Sequence, residues 1–267
     1  MKTIDVEGTR IAFHDVGSGR PVLLLHGFPL TSESFRPQLD ALGGRFRLIV
    51  PDHRGFGASG PAGVEATGMS RIARDALAIL DSLQIRRAVV GGVSMGGYAA
   101  MALLREDAGR AAGLLLIDTQ ATADDEAGKA RRAETAKAIE ARGVQALVDA
   151  MIGKLVAEDC DPAVRAGVEA MIRSCRPEGC VAAVRGMALR QDSQDMLARF
   201  AGPSLVVVGA KDAITPPSKA KEMAALLAGS RLVEIPGAGH LANLEQPAAF
   251  NAAAEAFLSS IPESALA

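Results

Sequence analysis

No charge of either sign dominates this chain. Its 29 lysines and arginines stand against 31 aspartates and glutamates, and no run of like charge forms a basic tail or a polybasic patch. That balance argues against nucleic acid as a partner and against electrostatic capture by a membrane surface. Long apolar runs are lacking as well: no segment approaches the roughly 20 apolar residues of a membrane span. Met1 to Arg10 alternates charged and apolar residues and offers no unbroken apolar stretch of the kind a signal peptide needs. The expectation is a cytoplasmic protein. Cysteine is scarce, and Cys160, Cys175 and Cys180 make an odd number with no histidine nearby. That suits neither a complete disulfide framework nor a zinc site, so they read as reduced structural thiols. No metal or organic cofactor is implied, and nothing in the chain sets an oligomeric state.

What the chain does have is length and apolar content. With 267 residues, 49% of them hydrophobic, it can close one large core. Short β-branched or leucine-rich runs recur between Gly and Pro punctuation at Arg10 to Val16, Pro21 to Leu25, Arg47 to Val50, Ala88 to Gly91, Gly113 to Asp118, Ser204 to Val208 and Arg231 to Ile235. The later runs are apolar at nearly every position, as strands covered on both faces must be, and helical patterns separate them. The alternation predicts a doubly wound, mostly parallel α/β sheet. From Thr119 to Pro203 the rhythm breaks. No strand-like run appears, and Ile139, Val144, Leu147, Val148, Met151, Ile152 and Leu155 fall at helical spacing. Asp161-Pro162 reads as an N-cap followed by a proline at the first helical position, and Arg176-Pro177 as a further break. The expected organisation is a core formed by residues 1–118 and 204–267, with residues 119–203 inserted as a helical cap.

The chemistry-bearing residues sit at the ends of these strands. After the apolar run ending at Gly91 comes Gly92-Val93-Ser94-Met95-Gly96, followed by a helical pattern from Tyr98 to Arg105. This is the strand, sharp turn and helix of a nucleophile elbow, whose strained serine requires residues without side chains two before and two after it, here Gly92 and Gly96. A serine hydroxyl is a weak nucleophile at neutral pH and needs a base oriented by a third group. His240 is the one histidine beyond Ser94, in a glycine-rich loop directly after the last strand. Asp212, in the loop after Ser204 to Val208, is the favoured acid. Asp118, ending the strand before, is its competitor and otherwise reads as a loop or helix-capping residue. Two backbone N–H groups should face the oxyanion: Met95, after the nucleophile at the positive end of its helix, and Phe28, in the turn His26-Gly27-Phe28-Pro29. Gly27 permits close approach there, Pro29 has no N–H, and His26 reads as a support of the turn. His14 and His53 read as structural.

Taken together, His26-Gly27-Phe28-Pro29, the loop Asp52-His53-Arg54-Gly55-Phe56-Gly57, the elbow, the Asp212 loop and Gly237-Ala238-Gly239-His240 resemble the α/β-hydrolase family along nearly the whole chain. Within it the chain looks most like bacterial carboxylesterases and 3-oxoadipate enol-lactonases with a helical cap, and more distantly like cofactor-free perhydrolases once called haloperoxidases. The resemblance implies a serine hydrolase that cleaves a carboxylic ester or lactone of a small, largely apolar substrate through an acyl-enzyme. Enol-lactonase, perhydrolase or carbon–carbon hydrolase activity on the same triad stays open, as does, from another class, a small-molecule receptor that retains the triad. Haloalkane dehalogenases and epoxide hydrolases of this fold carry aspartate at the elbow and commonly use tryptophan in substrate contacts. This chain has Ser94 there and no tryptophan. Met151, Met171, Met187 and Met196 could line an adaptable apolar entrance or serve as plain core.

Overall fold

The leucine- and valine-rich runs form one eight-stranded sheet in a computed structural model that describes residues 1–265; residues 266 and 267, the end of the expected core segment, lie outside the described residues. The strands are β1 (Lys2–Val6), β2 (Thr9–Val16), β3 (Pro21–Leu25), β4 (Arg47–Pro51), β5 (Ala88–Val93), β6 (Ala111–Ile117), β7 (Ser204–Gly209) and β8 (Arg231–Ile235). Their order is β1-β2-β4-β3-β5-β6-β7-β8. From β4 to β8 all neighbours run parallel, while β2 is antiparallel to both β1 and β4. Strand β1 is not among the runs expected from sequence. Its apolar residues are few, but Glu7 and Gly8 adopt φ of 50° and 76°, a two-residue reversal that pairs Val6 with Thr9 and folds the amino terminus into a hairpin.

Helices flank the sheet: α1 (Arg36–Leu42), α2 (Met69–Ser82), α3 (Met95–Asp107), α4 (Glu126–Arg142), α5 (Gln145–Leu155), α6 (Pro162–Ser174), α7 (Pro177–Ala188), α8 (Gln194–Arg199), α9 (Pro217–Leu226), α10 (Ala242–Glu245) and α11 (Pro247–Ser260). Helix α2 shows why they pack as they do. Ile72, Ala73, Ala76, Ile79 and Leu80 recur at three- and four-residue spacing and are all buried. Strands β5, β6 and β7 are buried at every position, as inner strands between two helical layers must be.

Residues 119–203 contain no strand. Asp161 caps α6 by accepting from the Ala163 N–H at 2.7 Å, with Pro162 at the first helical position, and α7 begins at Pro177. Helices α4 to α7 pack on one another, whereas α8 packs against α3 and α9 beside the sheet. This helical stretch meets the loops that leave the carboxyl ends of the strands. The Cys175 thiol donates to the Pro29 carbonyl at 3.4 Å, the Arg176 guanidinium to the Ser59 carbonyl at 2.6 Å, and the His240 N–H to the Leu155 carbonyl at 3.1 Å. All three cysteines are free thiols. Among the described residues, no helix is long and apolar enough to cross a membrane.

Candidate active site

Ser94 stands between β5 and α3 with φ 52° and ψ −114°, a backbone conformation that costs a non-glycine residue on the order of 1–3 kcal/mol and persists only where its surroundings fix it. They do so at both ends of the residue. Its N–H donates to the Ile117 carbonyl at 2.9 Å, and its carbonyl accepts from the N–H groups of Gly97 at 2.9 Å and Tyr98 at 3.2 Å and from the Thr119 hydroxyl at 2.8 Å. The two flanking glycines are required by contact. A Cβ on Gly92 would overlap the backbone of Gly96 and Gly97, and one on Gly96 would overlap the backbone at Leu25 and His26.

Asp212 and His240 come from adjacent loops, after β7 and β8. The Nδ1 of His240 lies 2.8 Å from Asp212 Oδ2, and both side chains are buried. The Thr215 hydroxyl donates to the same carboxylate oxygen at 2.8 Å, and Oδ1 accepts the N–H groups of Ile214 at 2.8 Å and Thr215 at 3.0 Å. Burial pushes the Asp212 carboxyl up, but His240 and these Thr215 bonds outweigh it and hold it below the ordinary aspartate range. An ionised carboxylate on Nδ1 leaves that nitrogen protonated and turns the lone pair of Nε2 away from Asp212.

Asp118, the rival acid, has different partners. It is fully buried, with Oδ1 accepting from the Gly209 N–H at 2.7 Å and Oδ2 from the Ala242 N–H at 3.0 Å. It thereby ties the ends of β6 and β7 to the start of α10, just beyond His240. Burial and the neighbouring Asp212 charge push its carboxyl well above the usual range.

The turn after β3 is built on histidine. His26 is buried and holds the Gly27 carbonyl at 2.9 Å through Nδ1, while its Nε2 accepts the His53 N–H at 3.0 Å; in turn, His53 Nε2 lies 3.1 Å from the His26 carbonyl. The two rings sit 3.9 Å apart between centroids. Burial lowers His26 to about 4 against the bond to Gly27, and burial followed by the nearby His26 holds His53 well below its ordinary value, so both are neutral near pH 7. Because a trans peptide is planar, pinning the Gly27 carbonyl also aims the Phe28 N–H in the opposite direction. Neither that N–H nor the one on Met95 has a hydrogen-bond partner among the described residues. Gly27 passes close to the elbow, since a Cβ there would stand 3.2 Å from the Val93 carbonyl oxygen and 3.5 Å from the Ser94 Cβ. The loop below is fixed by Asp52, which accepts the N–H groups of Ser32 and Ala58 at 2.8 Å each. Arg54 forms a buried two-bond ion pair with Asp75 of α2, at 2.7 and 2.5 Å. His14 lies on β2 and reaches Glu33 at 3.2 Å.

Three residues that matter to this geometry carry no site role in the motifs above. Thr119 holds the Ser94 carbonyl and Thr215 holds Asp212. Glu245 accepts the N–H groups on either side of His240, Gly239 at 2.9 Å and Leu241 at 3.2 Å, and with its other oxygen the Ala157 N–H at 2.7 Å. Beside these groups lies a cavity of about 340 Å³, reached by Phe28, Tyr98, Ile214 and Thr215. Met151 lines it, whereas Met187 is buried in the core and Met171 and Met196 pack against that core. No group of three or more His, Cys, Asp or Glu among the described residues could hold a metal ion.

Residues 22–253 match the alpha/beta hydrolase family. The chain belongs to that family. It is similar to a thermophilic esterase from Thermogutta terrifontis, solved with malate bound, with 39% identity, 97% of each chain covered and a TM-score of 0.93. It is also similar to the enol-lactonase from Burkholderia xenovorans LB400, with 27% identity, 97% of this chain and 100% of that one covered and a TM-score of 0.88. 3-Oxoadipate enol-lactonase 1 of Acinetobacter baylyi is 30% identical over 230 residues, 85% of this chain and 84% of its own. The protein is thus a hydrolase of this fold, with esterases and enol-lactonases among its relatives.

Proposed function

We propose that this hydrolase cleaves a carboxylic ester or lactone of a small substrate by acyl transfer, with Ser94 as nucleophile, His240 as general base and Asp212 as its orienting acid. The observation that carries the reading is the buried 2.8 Å bond between His240 Nδ1 and Asp212 Oδ2 on the loops beside a strained Ser94. Ser94 Oγ attacks the carbonyl carbon as His240 Nε2 takes its proton, and Asp212 stabilises the imidazolium that results. The negative charge moves onto the carbonyl oxygen, which the N–H groups of Met95 and Phe28 receive; Met95 opens α3, whose dipole adds to their effect. As the tetrahedral intermediate collapses, the C–O bond to the leaving group breaks and that oxygen takes the proton from Nε2. Water then repeats the sequence on the acyl-enzyme, with His240 again as base, and frees the acid and Ser94.

Helices α4 to α7 act in this reading as the cap that separates the acyl-enzyme from bulk solvent. The serine at the elbow favours this chemistry over that of dehalogenase-like relatives, which need a carboxylate nucleophile at the same place. The test is Ser94→Ala with 4-nitrophenyl butyrate. We expect a folded protein with hydrolysis reduced on the order of 10⁴-fold or more, and an alkyl phosphonate ester that adds once to the wild type, on the Ser94 peptide. Near-normal turnover by Ser94→Ala, or labelling at another residue, would overturn the proposal.

A further inference from the structure

The cavity beside the candidate triad has an uneven charge. Phe28, Tyr98 and Ile214 give it apolar surface, but Arg131 and Arg132 from α4 and Lys154 from α5 line it too, against the single carboxylate of Asp124. That carboxylate is already shared. Arg132 Nε lies 3.1 Å and Arg190 Nη1 2.8 Å from Asp124 Oδ2. Burial alone would raise Asp124, yet the two guanidinium groups outweigh it and hold it below the ordinary range. Arg190 in turn stacks 4.2 Å above the Tyr98 ring, and its Nη2 donates to the Thr122 carbonyl at 2.9 Å. Arg132 is therefore held in place, and no negative charge in the cavity remains for Arg131 and Lys154.

The other cations of α4 show that this is not the habit of the helix. Lys129 pairs with Glu126 at 2.7 Å, Lys137 with Glu134 at 2.9 Å and Arg142 with Asp149 at 3.1 Å. Among the described residues Arg131 and Lys154 have neither an ion pair nor a side-chain hydrogen bond, and both face the cavity. Tyr98, one helical turn after Ser94, is buried against the same space, and its hydroxyl bonds to no protein group among the described residues. Unpaired cations grouped on one concave surface raise the local concentration of anions and orient them. A carboxylate suits them better than a neutral group, since guanidinium and ammonium both donate in charge-assisted bonds.

We propose that the substrate carries an ionised carboxylate remote from its scissile ester or lactone carbonyl, and that Arg131 and Lys154 hold it. This inference rests on the acyl-transfer reading of Ser94. The carboxylate takes no part in bond making. It fixes which end of the substrate lies under α4 and α5, and so presents the carbonyl at the other end to Ser94.

The experiment compares mono-4-nitrophenyl adipate, which bears the free carboxylate, with its neutral methyl-capped diester. The quantity read is the ratio of the two kcat/KM values, which cancels any general loss of active protein. For the wild type we expect about a tenfold or larger preference for the anionic ester. The double variant Arg131→Gln, Lys154→Gln should cut the ratio about 2- to 30-fold, the yield of two exposed charge interactions. Raising salt from about 0.05 M to about 0.5 M should narrow the wild-type ratio as screening shortens. Hydrolysis of the neutral diester with no preference for the anionic ester, or a ratio unchanged in the double variant, would overturn the inference and leave the esterase reading standing. Failure of the wild type to hydrolyse either ester would overturn the esterase reading and this inference with it.

Discussion

Replacing Asp212 by asparagine tests the proposed orienting acid against its competitor, because the surroundings of Asp212 dictate how an amide must sit. Oδ1 accepts two backbone N–H groups, from Ile214 and Thr215, while Oδ2 faces His240 Nδ1 and the Thr215 hydroxyl. An asparagine that keeps its oxygen on the two N–H groups turns its NH2 toward Nδ1. That nitrogen must then be the acceptor, so the ring proton moves to Nε2, which is left without the lone pair needed to take the Ser94 proton. The flipped amide would restore the tautomer but set its NH2 against two buried N–H donors, at about 1–3 kcal/mol for each group left unsatisfied. The first orientation wins, and with it the inactive tautomer. We expect kcat to fall roughly 10²- to 10⁴-fold, equivalent to about 3–5 kcal/mol of lost transition-state stabilisation, with the melting temperature nearly unchanged.

Asp118→Asn should behave in the opposite way. Its two oxygens each accept one buried N–H, from Gly209 and Ala242, and an amide can accept only one of them. Stability should drop by about 1–3 kcal/mol, more than a solvent-exposed helix cap would lose, while kcat falls less than about tenfold because the Asp212–His240 bond is untouched. Turnover of 4-nitrophenyl butyrate and thermal unfolding by circular dichroism, measured on both variants, give the ranking. An Asp118→Asn protein that is folded but inactive, beside an active Asp212→Asn protein, would refute this reasoning and move the acid to the end of β6.

His26 titrates at about 4 in the folded protein against 6.5 when free. Above pH 6.5 its neutral ring contributes fully; as the pH falls toward 4 the unfolded chain takes the proton first, and roughly 3 kcal/mol of stability is lost. The urea-unfolding gap between wild type and His26→Gln should therefore shrink by about 2 kcal/mol from pH 7 to pH 5, and parallel profiles would refute the assignment. Glu245→Gln leaves one acceptor fewer for the N–H groups around His240, so kcat should fall several-fold, together with about 1–3 kcal/mol of stability. A variant equal to the wild type in both would remove Glu245 from the positioning of His240. Gly96→Ala would drive a Cβ into the Leu25 carbonyl, and we expect either no folded protein or a loss on the order of 3 kcal/mol or more. A melting temperature within a few degrees of wild type would contradict the packing of the elbow.

What the sequence disclosed and what it concealed differ by distance along the chain, not by kind of physics. Asp161 and Glu245 do the same thing: each offers carboxylate oxygens to backbone N–H groups that would otherwise lack partners. At Asp161 the donor is Ala163, two residues on, with Pro162 between them, so the cap can be read from three letters. At Glu245 one donor is Ala157, 88 residues away, and at Asp118 the donors are 91 and 124 residues away. No local pattern records those meetings. The elbow was legible because its cause is local: the strained turn needs Gly92 and Gly96 within two residues of Ser94. Thr215 lies between these cases. It stands three residues after Asp212 and bonds it through a turn, so its signal is local, within Asp212-Ala213-Ile214-Thr215. Strand β1 is similar: the Glu7-Gly8 reversal decides it, while the alternation before it is too polar to stand out. Arg131 and Lys154 mark the far limit. As letters they are two cations on polar helix faces, like Lys129 or Lys137; the carboxylates that answer the latter pair stand three residues before them, at Glu126 and Glu134, whereas only the fold shows that a cavity faces Arg131 and Lys154. The residues proposed for the chemistry could thus be named from sequence wherever a turn confines them, whereas the cations proposed to hold the substrate acquire that meaning from neighbours that the sheet and the helical insertion bring together.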